Sequence, residues 1–171
     1  MEKMFQVIED LKKEGVIQNY ALGGAQALLF YDEPRATYDV DVFIFSNHIN
    51  PTGLVDLSIA ALKTALEKKG YAMKNDYFMI GEFPLQFLPP KDALMREAIE
   101  QAVVQNYGHV QVRVFSLEHL MAIMVDTNRP KDWARLSELR ALSKHDDEKF
   151  HKILKKYDLE KKWEAILEKI Q

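Results

Sequence analysis

The stretch LGGAQALLFYDEPRATYDVDVFIF, residues 22–45, decides the fold of this chain. Residues 17–22 predict a short strand that runs into Gly23-Gly24, and the apolar run AQALLFY after the glycines predicts a helix. Asp32–Pro34 predicts the turn that ends this helix. Residues 38–45, YDVDVFIF, predict a strand because β-branched and aromatic residues crowd into a tight run. The order strand, glycine pair, helix and strand predicts a site where the glycines and the second strand meet.

A glycine pair at a strand–helix junction lets the backbone approach a phosphate closely. The free amides and the dipole at the start of the helix then favour the anion. Gly23 and Gly24 are therefore candidate nucleotide-binding residues. Many tight turns also contain two glycines, so the pair alone leaves a plain turn open as the alternative.

Asp39 and Asp41 lie two residues apart on the predicted strand, so both side chains point to the same face. Their bases are about 6–7 Å apart, close enough to converge on one or two magnesium ions. Phe43 and Phe45 continue this face, which therefore turns apolar as at the mouth of a cleft. We predict a metal site at the two aspartates; the alternative is a solvent-facing edge strand with two solvated acids.

The rest of the chain predicts an α+β core followed by helices. Helical periodicity or capping predicts further helices in the core, at 3–14, 54–69 and about 91–100. Extended pieces are predicted at 71–73, 78–80 and 84–88, and a hairpin at 102–105 and 110–115. We expect a mixed, mostly antiparallel sheet in a core of residues 1–115. A helical region, residues 116–171, is expected to pack on the core as the far wall of the cleft.

Composition excludes several classes of function. The 171 residues include no cysteine, which excludes disulfides, thiolate nucleophiles and zinc–thiolate sites. A formal net charge of −3 gives no global attraction to nucleic acid or to anionic membranes. The five histidines lack HExxH spacing, and the sequence contains neither a GxSxG elbow nor a Walker loop. We expect a cytoplasmic protein without a membrane partner.

Together, the glycine pair and the Asp-x-Asp strand resemble the nucleotidyltransferase superfamily, whose fold is the polymerase-β-like core. The run Arg35-x-Thr37-x-Asp39-x-Asp41 resembles more narrowly the AbiEii-like group, which includes toxins of toxin–antitoxin systems. A second stretch, SLEHLMAIMVDTNRPKDWARLSEL at 116–139, is similar to that group's helix, Arg-Pro-Lys-Asp segment and following helix.

The resemblance implies roles for individual residues. A nucleoside triphosphate would lie on the amides after Gly23-Gly24, and Asp39 and Asp41 would be the catalytic carboxylates that hold Mg²⁺ or Mn²⁺. The other nucleotide-binding candidates occupy positions in the family motifs: Arg35, Thr37 and Lys131. Of these, Arg35 and Lys131 would touch phosphate or acceptor. Asp132 would cap or orient a helix that begins at Trp133.

Two departures from the family pattern bear on activity. The superfamily usually places a third carboxylate on a later strand, and the matching position here is Gln86, a candidate metal contact that cannot take a proton. Glu82 substitutes for it only in another strand register. Met124 stands where the AbiEii-like pattern often has lysine.

The predicted function is metal-dependent transfer of a nucleoside monophosphate to an acceptor hydroxyl on an RNA end such as tRNA, a protein or a small molecule. An antitoxin is a candidate partner. The alternative is a catalytically degenerate relative that binds a nucleotide or a partner.

Overall fold

The computed structural model describes residues 1–31, 39–45 and 56–170, without the side chains of 56–59. Residues are grouped into two compact units, Met1–Phe115 and Ser116–Gln171. No helix in the described part of the chain is long and apolar enough to span a membrane.

The first unit is built on a mixed sheet with helices. Its helices are α1 (Glu2–Lys13), α2 (Gly24–Leu28), α3 (Asp56–Lys68) and α4 (Ala93–Glu100). Its strands are β1 (Asn19–Leu22), β2 (Val40–Phe45), β3 (Met73–Lys74), β4 (Tyr77–Ile80), β5 (Phe83–Leu88), β6 (Val103–Tyr107) and β7 (Val110–Val114). These elements confirm the α+β fold class that the sequence predicts.

The sheet has the order β3-β4-β5-β2-β1-β7-β6. Strand β2 lies inside the sheet, parallel to β5 and antiparallel to β1. Strand β1 is also parallel to β7, and the remaining neighbours are antiparallel. The sheet is therefore mixed and mostly antiparallel, as predicted. The central position of β2 brings residues of β1 and β5 next to Asp41.

Helix α1 follows directly from its sequence pattern. Its apolar residues recur every three or four positions, and Phe5, Ile8 and Leu11 are fully buried. The first strand is shorter than predicted: β1 begins at Asn19 rather than at Ile17. Ile17 is buried but lies outside the strand. A polar turn joins β3 to β4, with Asn75 and Asp76 at positive φ.

The second unit is helical: α5 (Leu117–Thr127), α6 (Pro130–Ala141), α7 (Asp147–Lys156) and α8 (Glu160–Ile170). Ser116 is the N-cap of α5, where its side chain accepts a hydrogen bond from the His119 amide. The apolar faces of these helices meet around Phe150, whose ring lies edge-on to Trp163 at 5.3 Å between centroids.

One predicted helix start is wrong. The sequence interpretation begins α6 at Trp133, whereas the helix begins at Pro130. Proline is favoured in the first turn because its missing amide hydrogen has no intrahelical partner there and its φ already suits a helix. Asp132 therefore lies inside the first turn and is not the N-cap, which is Arg129.

Candidate active site

The glycine pair forms the junction between β1 and α2. Gly23 is the N-cap of α2, and its carbonyl accepts a hydrogen bond from Ala27 at 3.2 Å. The Gly23 amide donates to the carbonyl of Asp41 at 3.1 Å, which ties the junction to β2. The amides of Gly24 and Ala25 make no hydrogen bond to other described residues, as expected for the first turn of a helix. Two donors are thus available to a ligand beside β2.

Gly24 lies directly against the carboxylate of Asp41. Its φ is +59°, in the left-handed region that glycine adopts without steric cost. A Cβ at this position would be 2.7 Å from Oδ2 of Asp41 and 3.7 Å from its Cγ. Gly24 therefore leaves room for the Asp41 carboxylate beside the free amides.

Gly23 is required for a different reason, which sequence reasoning missed. A Cβ there would lie 2.4 Å from the Phe43 ring and 2.9 Å from the Phe115 ring. These two rings are stacked, with centroids 5.1 Å apart and planes at 30°. The available sequence signal was Phe43 itself, two residues after Asp41 on the same strand face. Gly23 thus lets an aromatic pair close the floor of the site.

Asp39 and Asp41 differ in exposure. Asp39 is exposed just before β2, whereas Asp41 is half-buried within it. The alternating side chains between and beyond them, Val40 and Val42, are buried on the opposite face. Because β2 has neighbours on both sides, the alternative of an exposed edge strand is wrong.

Gln86 lies directly across from Asp41 in the parallel pairing of β2 with β5. Residues opposite each other in neighbouring strands project to the same face, so the amide of Gln86 and the carboxylate of Asp41 share one side of the sheet. Gln86 is half-buried, and its side-chain amide makes no hydrogen bond to another described residue. Glu82 is exposed in the turn before β5. In this register Gln86, and not Glu82, lies opposite Asp41.

The donor set at this position fits a magnesium ion that also binds a substrate. Among residues with described coordinates, no three acidic or histidine side chains come together. Magnesium is nonetheless commonly held by one or two carboxylates, with water and substrate phosphates completing its shell. Asp41 and the amide oxygen of Gln86 offer donors of this kind on one face of the sheet, and Asp39 lies two residues before Asp41.

The remaining predicted site residues belong to the second unit or lie outside the described residues. Arg35 and Thr37 belong to the segment that the structure leaves undescribed. Lys131 is exposed in the first turn of α6, in the second unit. Met124, at the other departure from the family pattern, is buried in α5.

Asp132 fixes the turn between α5 and α6. Its side chain is fully buried, and its Oδ2 accepts hydrogen bonds from Arg129 Nε at 2.6 Å and Thr127 Oγ1 at 3.0 Å. Burial of a carboxylate is tolerated here because it is paired and hydrogen-bonded. The network holds the backbone that carries Lys131.

Comparison with known proteins identifies the fold. No protein-family model matches the sequence, and no curated protein matches it. The structure is similar to an antigenic nucleotidyltransferase-like protein from Paracoccidioides brasiliensis, with a TM-score of 0.55 and 17% identity over 82% of this chain and 77% of that one. It is also similar to ANT(2″)-Ia in complex with adenylyl-2″-tobramycin, with a TM-score of 0.50 and 17% identity over 98% and 99% of the two chains.

The fold is therefore that of the nucleotidyltransferase-like proteins. Identity of 17% carries the fold and not the activity, because unrelated functions share folds. The narrower resemblance to the AbiEii-like group stays a prediction.

Proposed function

We propose that the chain is a nucleotidyltransferase that moves a nucleoside monophosphate from a nucleoside triphosphate to an acceptor hydroxyl. The observation that carries the proposal is the contact between Gly24 and Asp41. It brings a carboxylate on the central strand beside the free amides of Gly24 and Ala25. A triphosphate with its divalent cation needs both kinds of group at one position, amides for phosphate and carboxylates for the metal.

The residues divide the task by their chemistry. The amides of Gly24 and Ala25 donate hydrogen bonds to phosphate oxygens, and Asp39 and Asp41 hold Mg²⁺ or Mn²⁺. When bound, the metal supplies positive charge that stabilises the transferred phosphate and the departing pyrophosphate. Arg35, Thr37 and Lys131 remain candidates for contacts with the nucleotide or acceptor, from the family motifs alone.

A catalytically degenerate relative is the second candidate, because Gln86 lies opposite Asp41. Glutamine offers an uncharged oxygen to a metal and cannot accept a proton at neutral pH. A site that lost its third carboxylate would still bind a nucleotide on the amides and the two aspartates. It would then turn the nucleotide over slowly or not at all.

A small molecule is the acceptor class with the most support. The structural neighbour ANT(2″)-Ia was solved with adenylyl-2″-tobramycin, a small-molecule acceptor carrying an adenylyl group. A formal net charge of −3 disfavours a long nucleic-acid footprint, although a short RNA end such as tRNA or a protein hydroxyl stays in the proposal. A toxin role with an antitoxin partner rests on the sequence resemblance alone.

The proposal is tested by transfer of label from α-³²P nucleoside triphosphates, with pyrophosphate release measured in parallel. The acceptors are an aminoglycoside panel, total tRNA and the protein itself. We expect one acceptor class to be labelled and Asp41→Asn to lower the rate about 100-fold or more. Glu82→Gln removes the same charge from an exposed turn and is the matched control. Equal rates for wild type and Asp41→Asn would overturn the proposal.

Gln86→Asp separates the two candidates. If the chain is a degenerate relative, a carboxylate opposite Asp41 should raise pyrophosphate release above that of the wild type. If the wild type is an enzyme adapted to glutamine, the added charge should leave the rate unchanged or lower it, because like charges across a strand pair repel. Gln86→Asn is the size-matched control without charge.

A further inference from the structure

Strand β6 forms one edge of the sheet and is unprotected. Among the described strands it pairs only with β7, over a continuous register from Val103↔Val114 to Tyr107↔Val110, without a bulge. Its sequence, VVQNY, contains no charged residue and no proline. Charged residues, proline and bulges usually prevent an edge strand from pairing with another chain, and β6 has none of them.

The opposite edge of the same sheet is protected. Strand β3 has two residues, ends in Lys74 and is followed by Asn75 and Asp76 at φ +49° and +65°. Short length, a lysine and a tight turn all prevent further strand pairing. The contrast within one sheet marks β6 as the edge that is suited to a partner strand.

The direction of the free backbone groups on β6 follows from β7. The Phe115 amide donates to the carbonyl of Leu22 on β1 at 3.0 Å, so alternate residues of β7 point toward β1 and the others point toward β6. Val110, Val112 and Val114 therefore face β6. Their partners in β6 are Tyr107, Gln105 and Val103.

Val104 and Asn106 consequently direct their amides and carbonyls away from the sheet. Neither backbone makes a hydrogen bond to another described residue. Val104 is 56% exposed, and it is one of two large apolar residues that are exposed among the described residues. Both the backbone and the side chain of Val104 are thus available at this edge.

We propose that β6 pairs antiparallel with β6 of a second copy of this chain, around a two-fold axis at Gln105. In this register Val104 of each copy lies opposite Asn106 of the other. The amides and carbonyls of both residues, four outward-facing groups in each copy, are then all hydrogen-bonded. It also sets Val103 opposite Tyr107, a β-branched and aromatic pair, and Gln105 opposite itself. The two Val104 side chains lie diagonally across the axis on one face, and no like charges meet.

A second copy fits this edge because the strand complements itself. In a two-fold interface, a contact from residue i of one copy to residue j of the other is always repeated from j to i. Val104 and Asn106 meet that condition, and their backbone donors and acceptors match. Pairing of two five-residue strands buries less than the roughly 1,200–2,000 Å² of a stable complex. We therefore expect a weak dimer, with Kd on the order of 100 µM.

Cysteine cross-linking tests the register, because the chain has no cysteine of its own. Gln105 would be a non-hydrogen-bonded pair with itself, with Cα atoms about 4.5 Å apart, within disulfide range. Val104 and Asn106 would each be offset from their own copies by two residues along the strands, beyond disulfide range. We expect Gln105→Cys to form a covalent dimer at least about 10-fold faster than Val104→Cys or Asn106→Cys.

Exposure alone predicts the opposite order of cross-linking rates among the three cysteine variants, so the test distinguishes the proposed pairing from random collision. Gln105 is half-buried whereas Val104 and Asn106 are exposed, so random collisions would cross-link the two exposed variants faster. That order would overturn the proposal.

Sedimentation velocity of the wild type, from about 10 µM to about 1 mM, should show a monomer–dimer equilibrium. Val104→Lys should abolish it, whereas Gln111→Lys, which adds the same charge at an exposed position on β7, should retain it. A wild type that stays monomeric throughout would also overturn the proposal.

Discussion

Substitution of Gly24 by alanine separates the stability of the fold from the chemistry of the site. Gly24 has φ +59°, and an added Cβ would lie 2.7 Å from Oδ2 of Asp41. Gly70 provides the matched control because its φ is +85° and an added Cβ would meet nothing within 4 Å. Both alanine variants place a Cβ on backbone at positive φ, which destabilises the fold. Only Gly24→Ala also displaces a carboxylate.

The magnitude follows from the two contributions. An alanine held at left-handed φ costs about 1–2 kcal/mol. In a chain of this size that lowers Tm by roughly 2–8 °C. The Asp41 carboxylate is the far end of a flexible side chain and can rotate away. The clash therefore adds little to the loss in the free energy of unfolding. It does move Asp41 from its position beside the amides of Gly24 and Ala25.

Thermal and urea unfolding, with nucleotide binding measured calorimetrically, check this prediction. We expect the two alanine variants to lose similar stability, while only Gly24→Ala loses affinity for magnesium nucleotide, by about 10-fold or more. Wild-type affinity in Gly24→Ala would show that the position of the Asp41 carboxylate does not matter. Wild-type stability in both variants would refute the backbone argument.

Two further substitutions test the packing beside the site and the ion pair of the buried Glu118 in the second unit. Gly23→Ala should lower the free energy of unfolding by about 1–3 kcal/mol, because its Cβ would meet the stacked Phe43 and Phe115 rings; Phe43→Leu in the same chain should recover part of that loss in urea unfolding. Burial would raise the pKa of Glu118, but hydrogen bonds from Lys149 Nζ and a backbone amide outweigh burial and hold the pKa below its usual 4.5. A depressed folded-state pKa stabilises the fold above that value and loses its effect as pH falls, so Glu118→Gln should cost about 2 kcal/mol at pH 7 and progressively less below about pH 4.5. An equal cost at pH 7 and in acid would contradict this assignment.

The strand that carries Asp41 was predictable because local and global preferences agree there, whereas Asp39, predicted on the same strand, lies just before it. Val40, Val42 and Ile44 fill one face of β2 as alternation requires, and Asp41 falls on the other. The superfamily pattern placed Gln86 on a later strand at the third-carboxylate position, but the sequence holds no pairing signal that sets it opposite Asp41.

The requirement for each glycine was not predictable from the pair alone. Sequence reasoning assigned Gly23 and Gly24 to close approach of a phosphate. The structure shows in addition that Gly23 makes room for Phe43 and Phe115, and the second ring comes from more than 90 residues along the chain. Long-range packing of this kind leaves no local periodicity to detect.

The start of α6 was missed for a local reason. The prediction of a start at Trp133, with Asp132 capping or orienting the helix, gave too little weight to Pro130, which is favoured in a first turn. Asp132 instead accepts hydrogen bonds from Arg129 and Thr127 on the residues before it. A carboxylate near a helix start can thus brace the preceding turn without capping the helix.

The most direct test of the central claim is calorimetric titration of ATP, GTP, CTP and UTP, with and without magnesium. The variant is Asp39→Asn/Asp41→Asn, and the control Asp76→Asn/Glu82→Gln removes the same two charges from exposed turn positions. We predict that the wild type and the control bind at least one nucleotide with Kd between about 1 µM and about 1 mM, only with magnesium, and that the variant does not. Binding that survives the loss of both aspartates, or a folded wild type that binds none of the four, would contradict a nucleotide site at Gly24 and Asp41.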